Sequence, residues 1–195
     1  MLRQLRQLST KPSFFSLFPK TFPNGSNIPD HGFTLDTRQL KKEYRKLQAV
    51  SHPDLNNSLN ESATTGEKDE SSFINKAYET LFDPLKRAQY ILQLQGLDVT
   101  DDAIGKKLQF QDKAMLIEMM EIHEQLEEIM DESDLESMKS QNNDKIKQLC
   151  VEISQDLQNK NWDEAATKTV RLKYCYNIKN ALKEWQPGKP IILTH

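Results

Sequence analysis

The chain has 195 residues and a formal net charge of −3, and 28% of its residues are charged. This length suits one large or two small domains, and a hydrophobic content of 36% is enough for helical cores but low for a β-rich enzyme. The slightly acidic balance argues against a general nucleic-acid binder, and no run approaches the roughly 20 apolar residues that a membrane span needs. Almost no stretch alternates apolar and polar residues, so the predicted fold class is all-α.

The N-terminal segment is basic and amphipathic. Its first eight residues, MLRQLRQL, can form a short helix with leucines on one side and arginines on the other, and the first acidic residue is Asp30. Such a segment is typical of a mitochondrial presequence, which we expect over residues 1–12; the alternative is a disordered basic tail. The following FFSLF (Phe14–Phe18) predicts a short helix.

Two amphipathic helices are predicted next, over Thr37–Val50 and Ser72–Phe82. The first has an apolar stripe of Leu40, Tyr44 and Leu47, and Asp36 is a suitable N-cap. Each helix has one apolar face, so the two should pack as an antiparallel hairpin. The opposite face of the first helix carries a group of cations, interrupted only by Glu43: Lys41, Lys42, Arg45 and Lys46. This face could steer an acidic partner surface or could be an ordinary solvated exterior.

The connection between these helices carries His52-Pro53-Asp54. Pro53 lacks an amide proton and disfavours helical geometry at His52, so the first helix should end here. These three residues would then form an exposed tip, in which Pro53 stiffens a His donor and an Asp acceptor. A catalytic interpretation is disfavoured because no nucleophile, third ligand or Gly-rich loop accompanies them. The other alternative is that the three residues are an ordinary loop. The polar loop Leu55–Glu70 is expected to be mobile.

Further helices are predicted beyond the hairpin. Pro84–Gln95 begins with proline and is followed by Gly96, a suitable C-cap. Residues 97–111 are predicted to be a linker with a short helical piece. Three helices then follow, near Asp112–Met130, over Leu135–Leu157 and over Trp162–Trp185, with Asn161 and Glu164 as a capping box for the last. Short connections predict an antiparallel bundle over residues 112–186.

The first bundle helix carries more apolar residues than one seam requires. Met115, Met119, Ile122, Leu126 and Ile129 follow the 4-3-4-3 spacing of a complete seam. Leu116 and Met120 lie about 90° away from it, and Tyr174 is a similar surplus in the last helix. Because Asp112–Asp134 carries nine acidic residues and one lysine, this predicts an apolar binding patch in acidic surroundings.

The two cysteines do not predict a metal site. Cys150 and Cys175 sit near apolar residues, where buried thiols are common, and the four histidines show no ligand spacing to them. We therefore predict no metal and no cofactor.

The hairpin residues resemble the J-domain, the module that stimulates ATP hydrolysis by DnaK-class heat-shock chaperones. The matching segments are YRKLQAVSHPD (Tyr44–Asp54), INKAYETLFDP (Ile74–Pro84) and KRAQY (Lys86–Tyr90). The resemblance implies a J-domain over residues 13–96, and chaperone binding through His52, Pro53 and Asp54 beside the cationic face. The chain would then be an activator of a partner ATPase and not an enzyme.

A narrower resemblance is to the HscB class of J-proteins, the co-chaperones of iron–sulfur cluster assembly, and to a fungal mitochondrial member of it. It is carried by PLKRAQYILQLQGLD (Pro84–Asp98) and NWDEAATKTVRLKYCYN (Asn161–Asn177), and the four-cysteine knuckle of some members is absent. This implies that the bundle binds the scaffold protein on which clusters are built, through Leu116, Met120 and Tyr174. It also implies a mitochondrial-matrix location, with a mitochondrial DnaK-class chaperone as the second partner and neither nucleic acid nor membrane.

Other interpretations remain open at this point. The apolar patch could pack against the J-domain as an interdomain contact. The bundle could serve a different client. A helical nucleic-acid-binding protein would use Lys41–Lys46, but it would need basic and aromatic residues extending into the bundle, where the charge is acidic.

Overall fold

The structure, a computed structural model, describes residues 13–23, 33–51 and 65–186. Within these ranges it contains helices and no strands, which confirms the all-α prediction. A 3-10 helix, Phe14–Leu17, precedes seven α-helices. They are α1 (Thr37–Ser51), α2 (Thr65–Phe82), α3 (Pro84–Leu94), α4 (Asp102–Gln111), α5 (Lys113–Glu127), α6 (Glu132–Gln158) and α7 (Trp162–Glu184).

The chain divides into two compact units, Met1–Asp83 and Pro84–His195. In the first unit, α1 and α2 pack on each other and the 3-10 helix packs on α2. Leu40 and Leu81 are fully buried between them, and Phe15, Phe18 and Phe22 are buried near the N-terminus. The short helix predicted for Phe14–Phe18 belongs to this core. The Phe14 ring packs edge-on against the Phe73 ring of α2, with 5.4 Å between the ring centroids.

In the second unit, α6 and α7 form the main helix pair, and α3 and α4 also pack on α7. The core includes Leu126, Leu135, Met138, Ile178 and Leu182. The predicted seam of α5 is present, because Met115 and Leu126 are buried and Met119, Ile122 and Ile129 are half-buried. The second unit therefore contains the three predicted bundle helices, α5, α6 and α7. Two shorter helices, α3 and α4, pack against α7 in addition.

Helix termini test the capping predictions. Asp36 Oδ1 accepts the amide protons of Arg38 and Gln39 at 2.8 and 3.2 Å, as predicted for an N-cap. Gly96 adopts a φ of 86° and the amide of Leu97 reaches the carbonyl of Leu92 at 3.0 Å, so α3 ends in the predicted glycine cap. The capping box at Asn161 is wrong, because the Asn161 side chain makes no capping hydrogen bond to α7.

Two helices are longer than the sequence pattern indicated. Helix α2 begins at Thr65, inside the stretch predicted to be loop up to Glu70. That stretch contains Glu and Lys residues, which favour helix, and polarity alone does not end one. The predicted linker contains α4, whose N-cap Asp101 accepts the amide protons of Ala103 and Ile104. Helix α4 has no buried residue, and this explains its weak periodicity.

Candidate functional site

The cationic face of α1 is uninterrupted. All four of its predicted members, Lys41, Lys42, Arg45 and Lys46, are exposed. Glu43, the acid between them in sequence, is 7% exposed and points into the protein. Its carboxylate accepts the amide protons of Lys20 and Thr21 at 2.8 and 2.7 Å and the Thr21 hydroxyl at 2.5 Å. The outer face of α1 therefore carries positive charge without an acid among these positions.

Two turns of α1 next to the predicted tip are fixed to α2. The rings of Tyr44 and Tyr78 stack with centroids 3.8 Å apart and planes 9° apart. Asn75 Oδ1 accepts the Tyr44 hydroxyl at 3.0 Å and the Gln48 side-chain amide at 2.6 Å. Burial of Tyr78 raises its pKa, and the neighbouring Tyr44 adds to this while Arg45 opposes it. The hairpin is thus held by polar and aromatic contacts up to four residues before His52.

His52, Pro53 and Asp54 lie outside the described residues. The structure describes the α1 backbone as far as Ser51, the residue before this predicted tip. Their role stays a prediction from the sequence.

The predicted apolar patch on α5 is partly exposed. Met120 is 67% exposed and Leu116 is half-buried. Ile117, which the sequence analysis did not single out, is 59% exposed beside them. A helical wheel could have indicated it, because a residue two positions after the seam residue Met115 lies about 200° away. The surrounding acids of α5, Glu121, Glu124 and Glu127, are exposed too.

Tyr174, the third predicted contact, is half-buried between α7 and α5. Its hydroxyl donates to the backbone carbonyl of Met119 at 3.3 Å, which places it against the turn of α5 that carries Met120. Burial is the main cause that raises the Tyr174 pKa to about 12. Its ring also lines a cavity of about 270 Å³ between α5, α6 and α7, whose lining includes neither Leu116 nor Met120.

A charged network fixes the start of α5. Asp112 caps the helix by accepting the Met115 amide proton at 3.0 Å, and its other oxygen accepts Arg171 Nε at 2.6 Å. Arg171 also lies 3.5 Å from Glu118, which pairs with Lys145 of α6 at 3.0 Å. Burial acts to raise the pKa of Asp112, but the bonds from Arg171 and Met115 outweigh it and the pKa is lowered. The network joins α5, α6 and α7 next to Leu116.

Cys175 is a free thiol in the second unit. Cys175 is buried, and burial, with Glu118 nearby, raises its pKa to about 11, so the thiol is unreactive at neutral pH. In the part of the chain that the structure describes, no group of three His, Cys, Asp or Glu side chains could hold a metal ion. Over the same residues, no helix is both long and apolar enough to cross a membrane.

Two known domain families match the chain. Residues 32–90 match the DnaJ domain, and residues 111–183 match the HSCB C-terminal oligomerisation domain. The first match contains α1, α2 and part of α3, and the second contains α5, α6 and most of α7.

Similar proteins match all or most of the chain. The J-type co-chaperone JAC1, mitochondrial, of Saccharomyces cerevisiae is 37% identical over 100% of both chains. The human iron-sulfur cluster co-chaperone protein HscB is 29% identical over 79% of this chain and 64% of the human one. Among solved structures, the yeast Jac1 co-chaperone superposes with a TM-score of 0.77 over 94% of this chain and 99% of that one, at 34% identity. The crystal structure of human HscB gives a TM-score of 0.73 over 93% and 85%, at 28% identity.

Proposed function

Since the chain belongs to the HscB and Jac1 family of J-type co-chaperones of iron–sulfur cluster assembly, we propose that it couples two partners. One is a mitochondrial DnaK-class chaperone, whose ATP hydrolysis it stimulates. The other is the iron–sulfur cluster scaffold protein, which it delivers to that chaperone for cluster transfer. The chain itself would catalyse no reaction, because the hydrolysis machinery belongs to the chaperone.

The first half of this proposal concerns α1 and the tip that follows it. The observation that supports it best is the inward position of Glu43, which leaves Lys41, Lys42, Arg45 and Lys46 as one exposed cationic face. Such a face raises the rate of encounter with an acidic partner surface. His52, Pro53 and Asp54 would then dock as a rigid corner and favour the hydrolysis-competent state of the chaperone.

The second half concerns the surface of α5. Leu116 and Met120, with the exposed Ile117, would be the apolar contacts to the scaffold, and Tyr174 would support them from α7. Exposed acids around them would suit a partner surface with basic residues. An exposed group of large apolar side chains ringed by charge is the usual composition of a protein-binding site.

The location we propose is the mitochondrial matrix. The yeast relative is named as mitochondrial. The basic, amphipathic residues 1–12 have the composition of a presequence.

ATP turnover by the mitochondrial DnaK-class chaperone tests the proposal. We expect the protein to accelerate turnover, and the scaffold to accelerate it further. Asp54→Ala should abolish the stimulation, whereas Asp144→Ala, at an exposed position of α6, should not. Full stimulation by Asp54→Ala would refute the role of the tip.

A further inference from the structure

A cavity of about 270 Å³ lies between α5, α6 and α7. We propose that it receives one bulky apolar side chain of the scaffold protein, accompanied by a basic residue. This inference rests on the proposed function, and it extends the scaffold-binding surface from α5 and α7 onto α6. The α6 residues that it adds are Gln141 and Lys145.

The floor of the cavity is apolar. It is formed by side chains that are buried in the bundle core: Met115, Met138, Leu149 and Ile178. Transfer of an apolar side chain from water onto such a floor is favourable. The volume, about 270 Å³, is at the low end of the roughly 300–1,000 Å³ of ligand pockets. One bulky side chain fits in it, and the apolar floor favours an apolar one.

Four polar or charged side chains of the lining already have partners. Glu118 pairs with Lys145 at 3.0 Å, and Arg171 pairs with Asp112. The side-chain amide of Asn142 donates to the carbonyl of Cys175 at 2.9 Å. A polar or charged ligand would have to displace these bonds, whereas an apolar side chain would leave them intact.

The mouth of the cavity indicates the charge of the partner. Glu121, Gln125 and Gln141 line it and are exposed. Glu121 makes no ion pair with any described residue, so its carboxylate can accept a partner cation. The mouth is also continuous with the proposed scaffold surface, since Tyr174 belongs to both and Glu121 follows Met120 directly.

Filling the cavity tests the proposal without disturbing the core. Gln141→Trp places an indole at the mouth from an exposed position, and scaffold affinity is then measured by titration calorimetry on the full chain. The matched control is Gln148→Trp, also exposed and about two turns further along the same side of α6, but outside the cavity lining. If the indole takes the place of the scaffold side chain in the cavity, Gln141→Trp should weaken scaffold binding about tenfold or more. Gln148→Trp should leave scaffold binding unchanged.

The result distinguishes this inference from the proposed function. If Met120→Ala weakens scaffold binding but Gln141→Trp does not, the cavity proposal is overturned and the scaffold surface on α5 stands. Equal losses from both tryptophan variants would also overturn it, because the effect would not depend on the cavity. If the unsubstituted protein does not bind the scaffold, the proposed function fails and the cavity proposal fails with it.

Discussion

Thr21 donates both its backbone N–H and its hydroxyl to one carboxylate oxygen of Glu43, at 2.7 and 2.5 Å. The other oxygen accepts the amide proton of Lys20 at 2.8 Å. This contact anchors the N-terminal aromatic segment on α1, since Phe18 and Phe22, on either side of it, are fully buried or nearly so. It also removes the one acid from the outer side of α1. One side chain thus serves both the packing of the first unit and the charge of its candidate binding face.

Removing this carboxylate should destabilise the first unit. Glu43→Ala leaves two part-buried amide protons and a hydroxyl without their acceptor, and we expect a loss of about 1–3 kcal/mol in the free energy of unfolding. Urea denaturation followed by circular dichroism measures it. The control is Glu79→Ala, at an exposed position on α2, which should change stability by less than about 0.5 kcal/mol. Equal stability of the two variants would contradict the anchoring role.

The cationic face should act through long-range attraction. The double variant Lys42→Glu, Arg45→Glu should reduce stimulation of the chaperone ATPase about tenfold at low salt, and the reduction should shrink at high salt because ions screen exposed charges. Lys106→Glu, Lys107→Glu changes net charge equally at exposed positions of α4 and should have no effect without scaffold. A loss independent of salt would mean that the lysine and arginine act by direct contact instead.

The position of Glu43 could not be predicted from the sequence of α1. Helical spacing correctly placed Leu40, Tyr44 and Leu47 on the packing side, because burial of apolar residues follows the helical period. Glu43 lies at the edge of that side, and its direction is decided by backbone donors 22 and 23 positions earlier in the chain. Periodicity contains no information about such a distant partner. Asn75 was missed for the same reason, since it acts through hydrogen bonds to α1.

The apolar surface of α5, with Tyr174 of α7, should bind the scaffold. Replacing Leu116, Met120 and Tyr174 together by Ala should weaken scaffold binding at least about tenfold and leave chaperone stimulation in the absence of scaffold unchanged. Met120→Ala alone gives the cleaner comparison, because this side chain is 67% exposed and its loss opens no cavity. Its matched control is Met130→Ala, where the methionine is 84% exposed beyond the end of α5. If both methionine variants bind the scaffold equally well, Met120 is not a contact.

Apolar spacing predicted some features of α5 and could not predict others. The seam from Met115 to Ile129 was predicted because five apolar residues at 4-3-4-3 spacing admit one buried direction. The pattern could not reveal the cavity, which depends on how α6 and α7 approach α5 in space. The network around Asp112 also involves Arg171, 59 positions later. The sequence therefore indicated the seam and the exposed Met120, while the groups that fix α5 in place became evident from the packing.

The ion pair between Asp112 and Arg171 should make the second unit sensitive to acid. Because the folded-state pKa of Asp112 is lowered, its stabilisation is present above the unfolded pKa of about 3.9 and is lost as the pH falls through the folded value. Arg171→Met should therefore cost about 1–3 kcal/mol at pH 7, and the difference from the unsubstituted protein should shrink below about pH 4. Urea denaturation followed by tryptophan fluorescence measures this unit directly, since both tryptophans, Trp162 and Trp185, lie in it. The control is Lys147→Met, which breaks an exposed pair with Asp144 and should cost less than about 0.5 kcal/mol at either pH. A difference for Arg171→Met that stays constant from pH 7 to pH 3 would show that the arginine stabilises the bundle by packing and not through the Asp112 carboxylate.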